Sequence, residues 1–197
     1  RCRMHDLVHD LSLQVSNNCF LNTEDGMVVS HDDEVMHLTI ILSRGKMLKN
    51  IKGIPPNWQT FYLVGDGMLE DISKMSRHLC VLKVDSMNGT PLLNAVRDMK
   101  HLSHFDISKT RVIALSDSIT KCYNLITLKV FCVKEIPKKL SNLINLRYFQ
   151  FLFRAALVLS CLFPGTGQLS KFQTLSYFVL THAKACSIEE FEHLSNH

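Results

Sequence analysis

The chain has 197 residues, 46% of them hydrophobic, and 22 Lys and Arg against 18 Asp and Glu give a net charge of +4. That content suffices to bury a real core. Seven scattered cysteines, odd in number and without a Cys-x-x-Cys pair, argue against a disulfide framework or a zinc site and point to reduced thiols in a cytoplasmic protein.

The first residue is Arg1, so the chain reads as a piece of something longer or a processed product. No cationic-then-apolar segment opens it, which argues against secretion. The most apolar run, residues 151–163, contains Arg154 and falls short of the roughly 20 residues a bilayer-spanning helix needs, so no transmembrane segment is expected.

The N-terminal stretch is amphipathic. Met4, Leu7, Val8, Leu11 and Val15 recur as on one helix face. Asp6 near its start suits the helix dipole, and Asn17-Asn18 ends it. Thr23-Glu24-Asp25-Gly26 and His31-Asp32-Asp33-Glu34 then read as polar loops. Residues 1–34 hold seven acids against Arg1 and Arg3, while the remainder is net positive by nine. This asymmetry marks two regions with different partners. The expected organisation is a helical tail over 1–22, an acidic linker over 23–34 and a repeat domain over 35–197.

From residue 79 one pattern recurs. It reads Leu79-x-x-Leu82-x-Val84, Leu102-x-x-Phe105-x-Ile107, Leu125-x-x-Leu128-x-Val130 and Leu146-x-x-Phe149-x-Phe151, with first residues 23, 23 and 21 apart. A fifth copy, Leu175-x-x-Phe178-x-Leu180, follows after 29, and a weaker one, Trp58-x-x-Phe61-x-Leu63, lies 21 upstream of the first. A period of about 20 to 29 residues with this core marks leucine-rich repeats. The expected fold is therefore an α/β leucine-rich-repeat solenoid, a curved parallel sheet with helical or irregular returns. The alternative is an α/β domain with evenly spaced strands.

Each unit opens with a short strand whose alternate residues face inward. The return halves match: Leu92, Val96 and Met99 before Leu102, Leu115, Ile119 and Cys122 before Leu125, and Ile136, Leu140 and Leu143 before Leu146. Spacings of 3 and 4 predict helical or tight helical-turn returns, opened by Pro137 and Pro164. The segment from Arg154 to Phe163 fits no repeat. The strand residues facing outward, on the concave face, are the expected protein-binding positions: Lys83, Asp85, His104, Asp106, Thr127, Lys129, Tyr148 and Gln150.

Signals for chemistry are sparse. His101-x-x-His104 has a metal-ligand spacing but no third ligand nearby in sequence, so no metal is expected. Cys80 and Cys122 fall beside or within the repeat core, where an inert thiol is expected. Neither Gly-x-Ser-x-Gly nor His-Glu-x-x-His occurs. Lys134, Lys138, Lys139, Arg147, Arg154 and Lys171 form a solvated face or meet an acidic partner; nucleic acid is not the expected one. A hydrolase using His101 and His104 or a Cys/His pair stands as the rival from another class, beside a truncated product without independent activity.

Arg3-Met4-His5-Asp6-Leu7-Val8-His9-Asp10-Leu11 resembles the Met-His-Asp motif of plant nucleotide-binding leucine-rich-repeat (NB-ARC) disease-resistance proteins. Ile107-Ser108-Lys109-Thr110-Arg111-Val112 is similar to the family's Leu-Ser-x-Thr-x-Ile segment, and Ser170-Lys171-Phe172-Gln173-Thr174-Leu175 to its Leu-x-x-Leu-Gln-x-Leu segment. The order of motif, linker and repeats is also the family's. The resemblance implies that 1–22 is the C-terminal end of a winged-helix switch region, in which His5 approaches the β-phosphate of ADP and Asp6 positions it. It implies a cytoplasmic innate-immunity receptor that recognises a pathogen effector or a guarded host protein, with contact to an upstream nucleotide-binding domain. No phosphate-binding loop lies within these residues, so no cofactor is expected here; ADP or ATP would belong to the full-length protein. The family often places an inter-repeat Asn eight residues after the first Leu. Here Met87, Thr110, Val133 and Arg154 stand there, and of these Thr110 alone offers a comparable bond.

Overall fold

A computed structural model describes residues 20–24, 36–43, 47–48, 58–65, 68–69, 78–85, 96–131, 133, 135–151, 171 and 173–175. Its strands are β1 (Phe20–Glu24), β2 (His37–Leu42), β3 (Met47–Leu48), β4 (Thr60–Gly65), β5 (Met68–Leu69), β6 (Val81–Asp85), β7 (His104–Ile107), β8 (Thr127–Val130), β9 (Tyr148–Phe151) and β10 (Thr174–Leu175). Eight of them form one parallel sheet in the order β1-β2-β4-β6-β7-β8-β9-β10. Partners from β2 to β9 are 23, 21, 23, 23 and 21 residues apart. The solenoid expected from the spacing is therefore the fold.

Alternation explains the core. Leu82 and Val84, Phe105 and Ile107, and Leu128 and Val130 are buried. Leu79, Leu102, Leu125 and Leu146 each precede a strand and are fully buried. The weak copy at Trp58 is a full member: Trp58, Phe61 and Leu63 are buried, and the two rings meet edge to face at 5.2 Å. Along one register row the sheet reads Leu21, Leu38, Phe61, Leu82, Phe105, Leu128, Phe149, Leu175. From Leu38 onward leucine and phenylalanine alternate, so the Phe61 and Phe105 rings are each flanked by smaller side chains, an arrangement suited to native packing density.

The returns are tight 3-10 turns, η1 (Val96–Asp98), η2 (Asp117–Lys121) and η3 (Leu140–Asn142). Val96, Met99, Leu115, Ile119, Cys122, Leu140 and Leu143 are buried, with Ile136 packed against them. The Ser116 hydroxyl caps η2 by accepting from the Ser118 amide. Pro137 opens the turn before η3, its carbonyl accepting from the Leu140 amide at 3.1 Å. Leu92, Pro164 and the stretch 154–163 lie outside the described residues.

Backbone bonding repeats from unit to unit. The Cys80 carbonyl accepts from the Ser103 and His104 amides at 2.8 and 3.0 Å, the Ser103 carbonyl from Ile126 and Thr127, and the Ile126 carbonyl from Arg147 and Tyr148. One oxygen with two lone pairs thus ties two successive amides of the next unit. A second ladder lies on the return side: β3 pairs β5, and Ala114 bridges Glu135, both parallel. Both pairings span 21 residues, where a unit of 23 meets one shorter by two.

Three expectations need correction. Among the described residues the sheet starts with β1, ahead of residue 35: β1 spans the boundary between the expected helical tail and linker, and its register pairs Phe20 with His37. Residues 1–19, with the amphipathic stretch and Met4-His5-Asp6, lie outside the described residues, as does 25–35. The fifth copy is out of phase, because Leu175 pairs with Phe149 rather than standing at the place of Leu146. That unit is 26 residues long. Thr110 donates to the Ile107 carbonyl at 2.8 Å, a bond within its own unit.

Inter-unit side-chain bonds come from elsewhere. Asn124 donates to the Lys100 carbonyl and Asn145 to the Tyr123 carbonyl, each at 2.8 Å, and Lys171 reaches the Asn145 side chain at 2.8 Å. Asn124 and Asn145 immediately precede Leu125 and Leu146, so they form a polar ladder along the rim where strands begin.

Candidate protein-binding face

Odd-numbered residues of β6 and their register partners face outward. One row runs Thr60, Val81, His104, Thr127, Tyr148, Thr174; the next runs Tyr62, Lys83, Asp106, Lys129, Gln150. Seven of the eight expected binding positions are exposed or half-buried: Lys83, Asp85, His104, Thr127, Lys129, Tyr148 and Gln150. Asp106 is the exception. It is 8% exposed, and its Oδ1 accepts from the Ser108 amide at 3.0 Å and the Ser108 hydroxyl at 2.6 Å. The chain turns at Ser108-Lys109 directly after β7 and folds two donors back onto this carboxylate, satisfying it internally. Asp106 shapes the turn instead of presenting a free carboxylate.

The remaining charges sort into closed and open. Lys109 donates to Asp85 at 2.7 Å, and that hydrogen bond raises the lysine's pKa. Lys83 places its ammonium 4.5 Å from the Tyr62 ring centroid, a cation–π contact between neighbouring strands. His104 has its pKa lowered, first by burial and then by Lys129, with Asp106 opposing and Lys83 adding to the depression. Its neutral imidazole therefore sits between two lysines.

The candidates for chemistry are dispersed. His101 stacks on His78 at the rim, centroids 5.8 Å apart, while His104 belongs to β7. Among the described residues no three His, Cys, Asp or Glu side chains group to hold a metal. Burial pushes the Cys122 thiol up to about 12, and its Sγ lies 3.2 Å from the Val96 carbonyl. A thiol held protonated in a core has no nucleophilic character. Cys80 is partly buried and bonds the His78 carbonyl; the other five cysteines lie outside the described residues. An open pocket of about 620 Å³ at the rim is lined by His78, Asp98, Lys100 and His101. Sequence reading missed His78, although it precedes Leu79 as His101 precedes Leu102. Of the basic set, Lys138 and Lys139 lie before η3, whereas Arg147 and Lys171 lie at the starts of β9 and β10, so these four are not all at one place in the repeat. Lys134 and Arg154 lie outside the described residues.

Stacked units, an all-parallel sheet and a repeating leucine frame define the leucine-rich-repeat class of fold. A crystal structure of an internalin (InlF) from Listeria monocytogenes is similar, with a TM-score of 0.53 and 14% identity over 92% of this chain and 59% of the other. The chain thus spans less than two thirds of that protein. No protein-family model matches the chain. No curated protein matches it. No helix among the described residues is long and apolar enough to cross a membrane.

Proposed function

We propose that this chain is a protein-interaction module, not an enzyme, and that it binds its partner across the outward face of β6 to β9. The observation that carries the reading is the pair of register rows, which bring Lys83, His104, Thr127, Lys129, Tyr148 and Gln150 side by side from four units. Wide, shallow surfaces built from parallel repeats suit extended protein contacts.

The finer proposal is the recognition and autoregulatory part of a cytoplasmic plant immune receptor. Its support is the resemblance of Met4-His5-Asp6 and of the segments at 107–112 and 170–175. In this reading the repeats contact an upstream nucleotide-binding domain, His5 and Asp6 help hold bound ADP, and an effector or guarded host protein shifts the balance. Such a shift requires different affinity for the two states. Valine at position 6 can neither accept a hydrogen bond nor offset charge. Losing one charge-assisted hydrogen bond costs about 1.5–3 kcal/mol. That raises a minor active population roughly ten- to a hundredfold. The full-length protein carrying Asp6→Val should therefore trigger cell death in leaf tissue at wild-type protein levels. Silence of the mutant beside a responding autoactive control overturns the receptor reading while leaving the binding face untouched.

A further inference from the structure

We infer that the outward face of β6 to β9 takes an acidic, extended segment of a partner protein, its carboxylates seated on Lys83 and Lys129. The inference rests on the reading of this face as the binding surface. Its ground is the charge left after internal pairing. Asp85 is closed by Lys109 at 2.7 Å. Asp106, which lies between Lys83 and Lys129 in the register row, is buried and occupied by two Ser108 donors. Among the described residues, neither Lys83 nor Lys129 has a carboxylate within ion-pair distance. Lys83 is held over Tyr62, with its ammonium available to a second partner.

His104 lies in the same field. It stands in the adjacent row, and the groups facing it are Lys83 on β6, Asp106 on its own strand and Lys129 on β8. Burial first and then both lysines disfavour its proton, and Asp106 offsets the lysines only in part.

The dimensions suit a chain crossing the strands. Lys83 and Lys129 are two strand spacings apart, about 10 Å. Extended backbone advances about 3.3 Å per residue, so acids two or three positions apart reach both ammonium groups through flexible lysine arms. Tyr148 and Gln150 continue the rows beyond Lys129 and offer an aromatic surface and amide groups to the same segment. A carboxylate docked here also favours protonated His104, so binding should strengthen as pH falls through its titration.

The test uses the 197-residue chain with fluorescein-labelled alternating Glu–Ser, Gln–Ser and Lys–Ser peptides and a single-stranded oligonucleotide, read by anisotropy. The Glu peptide should bind, weaken with added salt, and lose about tenfold or more in affinity in Lys83→Glu/Lys129→Glu. The His104 ring resonances should titrate at higher pH in the bound state. A circular-dichroism melt confirms that the double variant folds. Equal binding of the Gln peptide, lost in Tyr148→Arg, overturns the acidic partner and leaves the face as the binding surface. Glu-peptide binding that survives both variants overturns both readings. Tighter binding of the oligonucleotide, or no binding of the Glu peptide, overturns the acidic segment.

Discussion

Gly65 ends β4 with φ +116°, and a Cβ built on it would clash with the Leu42 carbonyl oxygen of the paired strand. Left-handed backbone strain and a backbone clash act together, so Gly65→Ala should destabilise by at least about 2 kcal/mol, measured by urea unfolding. His104 gives a pH signature. Its folded pKa lies below the ordinary value, first through burial and then through Lys129. The unfolded chain therefore binds the proton more readily. Stability contributed by neutral His104 is present above the unfolded pKa and is lost as pH falls from there toward the folded pKa. His104→Gln should flatten that slope in melts recorded across mildly acidic pH. The outward direction of His104 was legible from alternation; the fate of Asp106 was not, because Ser108 closes on it only once the chain turns after β7.

At the scale of the strand, phase decides which substitutions matter. Leu128 is fully buried, and Lys129 is half-buried on the opposite face. Leu128→Ala should cost roughly 2–5 kcal/mol. Lys129→Ala should stay within about 0.5 kcal/mol. Urea melts of the two variants check the difference, and equal losses would invert the phase. The phase was readable because alternate positions of β6 to β9 carry leucine, valine, isoleucine or phenylalanine in every strand. It faded toward the ends for identifiable reasons. β2 carries Leu38 and Ile40, and β1 pairs Leu21 with Leu38 while Thr23 stands opposite Ile40, so the leucine frame is broken there. At β10 the unit lengthens to 26, and Leu175 fits two registers of the motif; strand pairing selects the second. The inter-unit ladder was invisible because Asn124 and Asn145 sit just before the leucines, far from the position where an asparagine was sought.

At the scale of the whole molecule, the row from β2 to β10 of alternating Leu38, Phe61, Leu82, Phe105, Leu128, Phe149 and Leu175 implies that within this run one repeat is only half of a module. Removing residues 102–124 would set Leu82 against Leu128, two small side chains where a ring stood between them. Removing 102–145 would set Leu82 against Phe149 and keep the sequence of sizes intact. Size mismatch in a core loosens packing before it abolishes folding. The longer deletion should therefore keep native near-ultraviolet circular dichroism without binding the dye ANS, whereas the shorter one should bind it. From β2 to β10 the array has a parity: its length changes there without repacking only in steps of two.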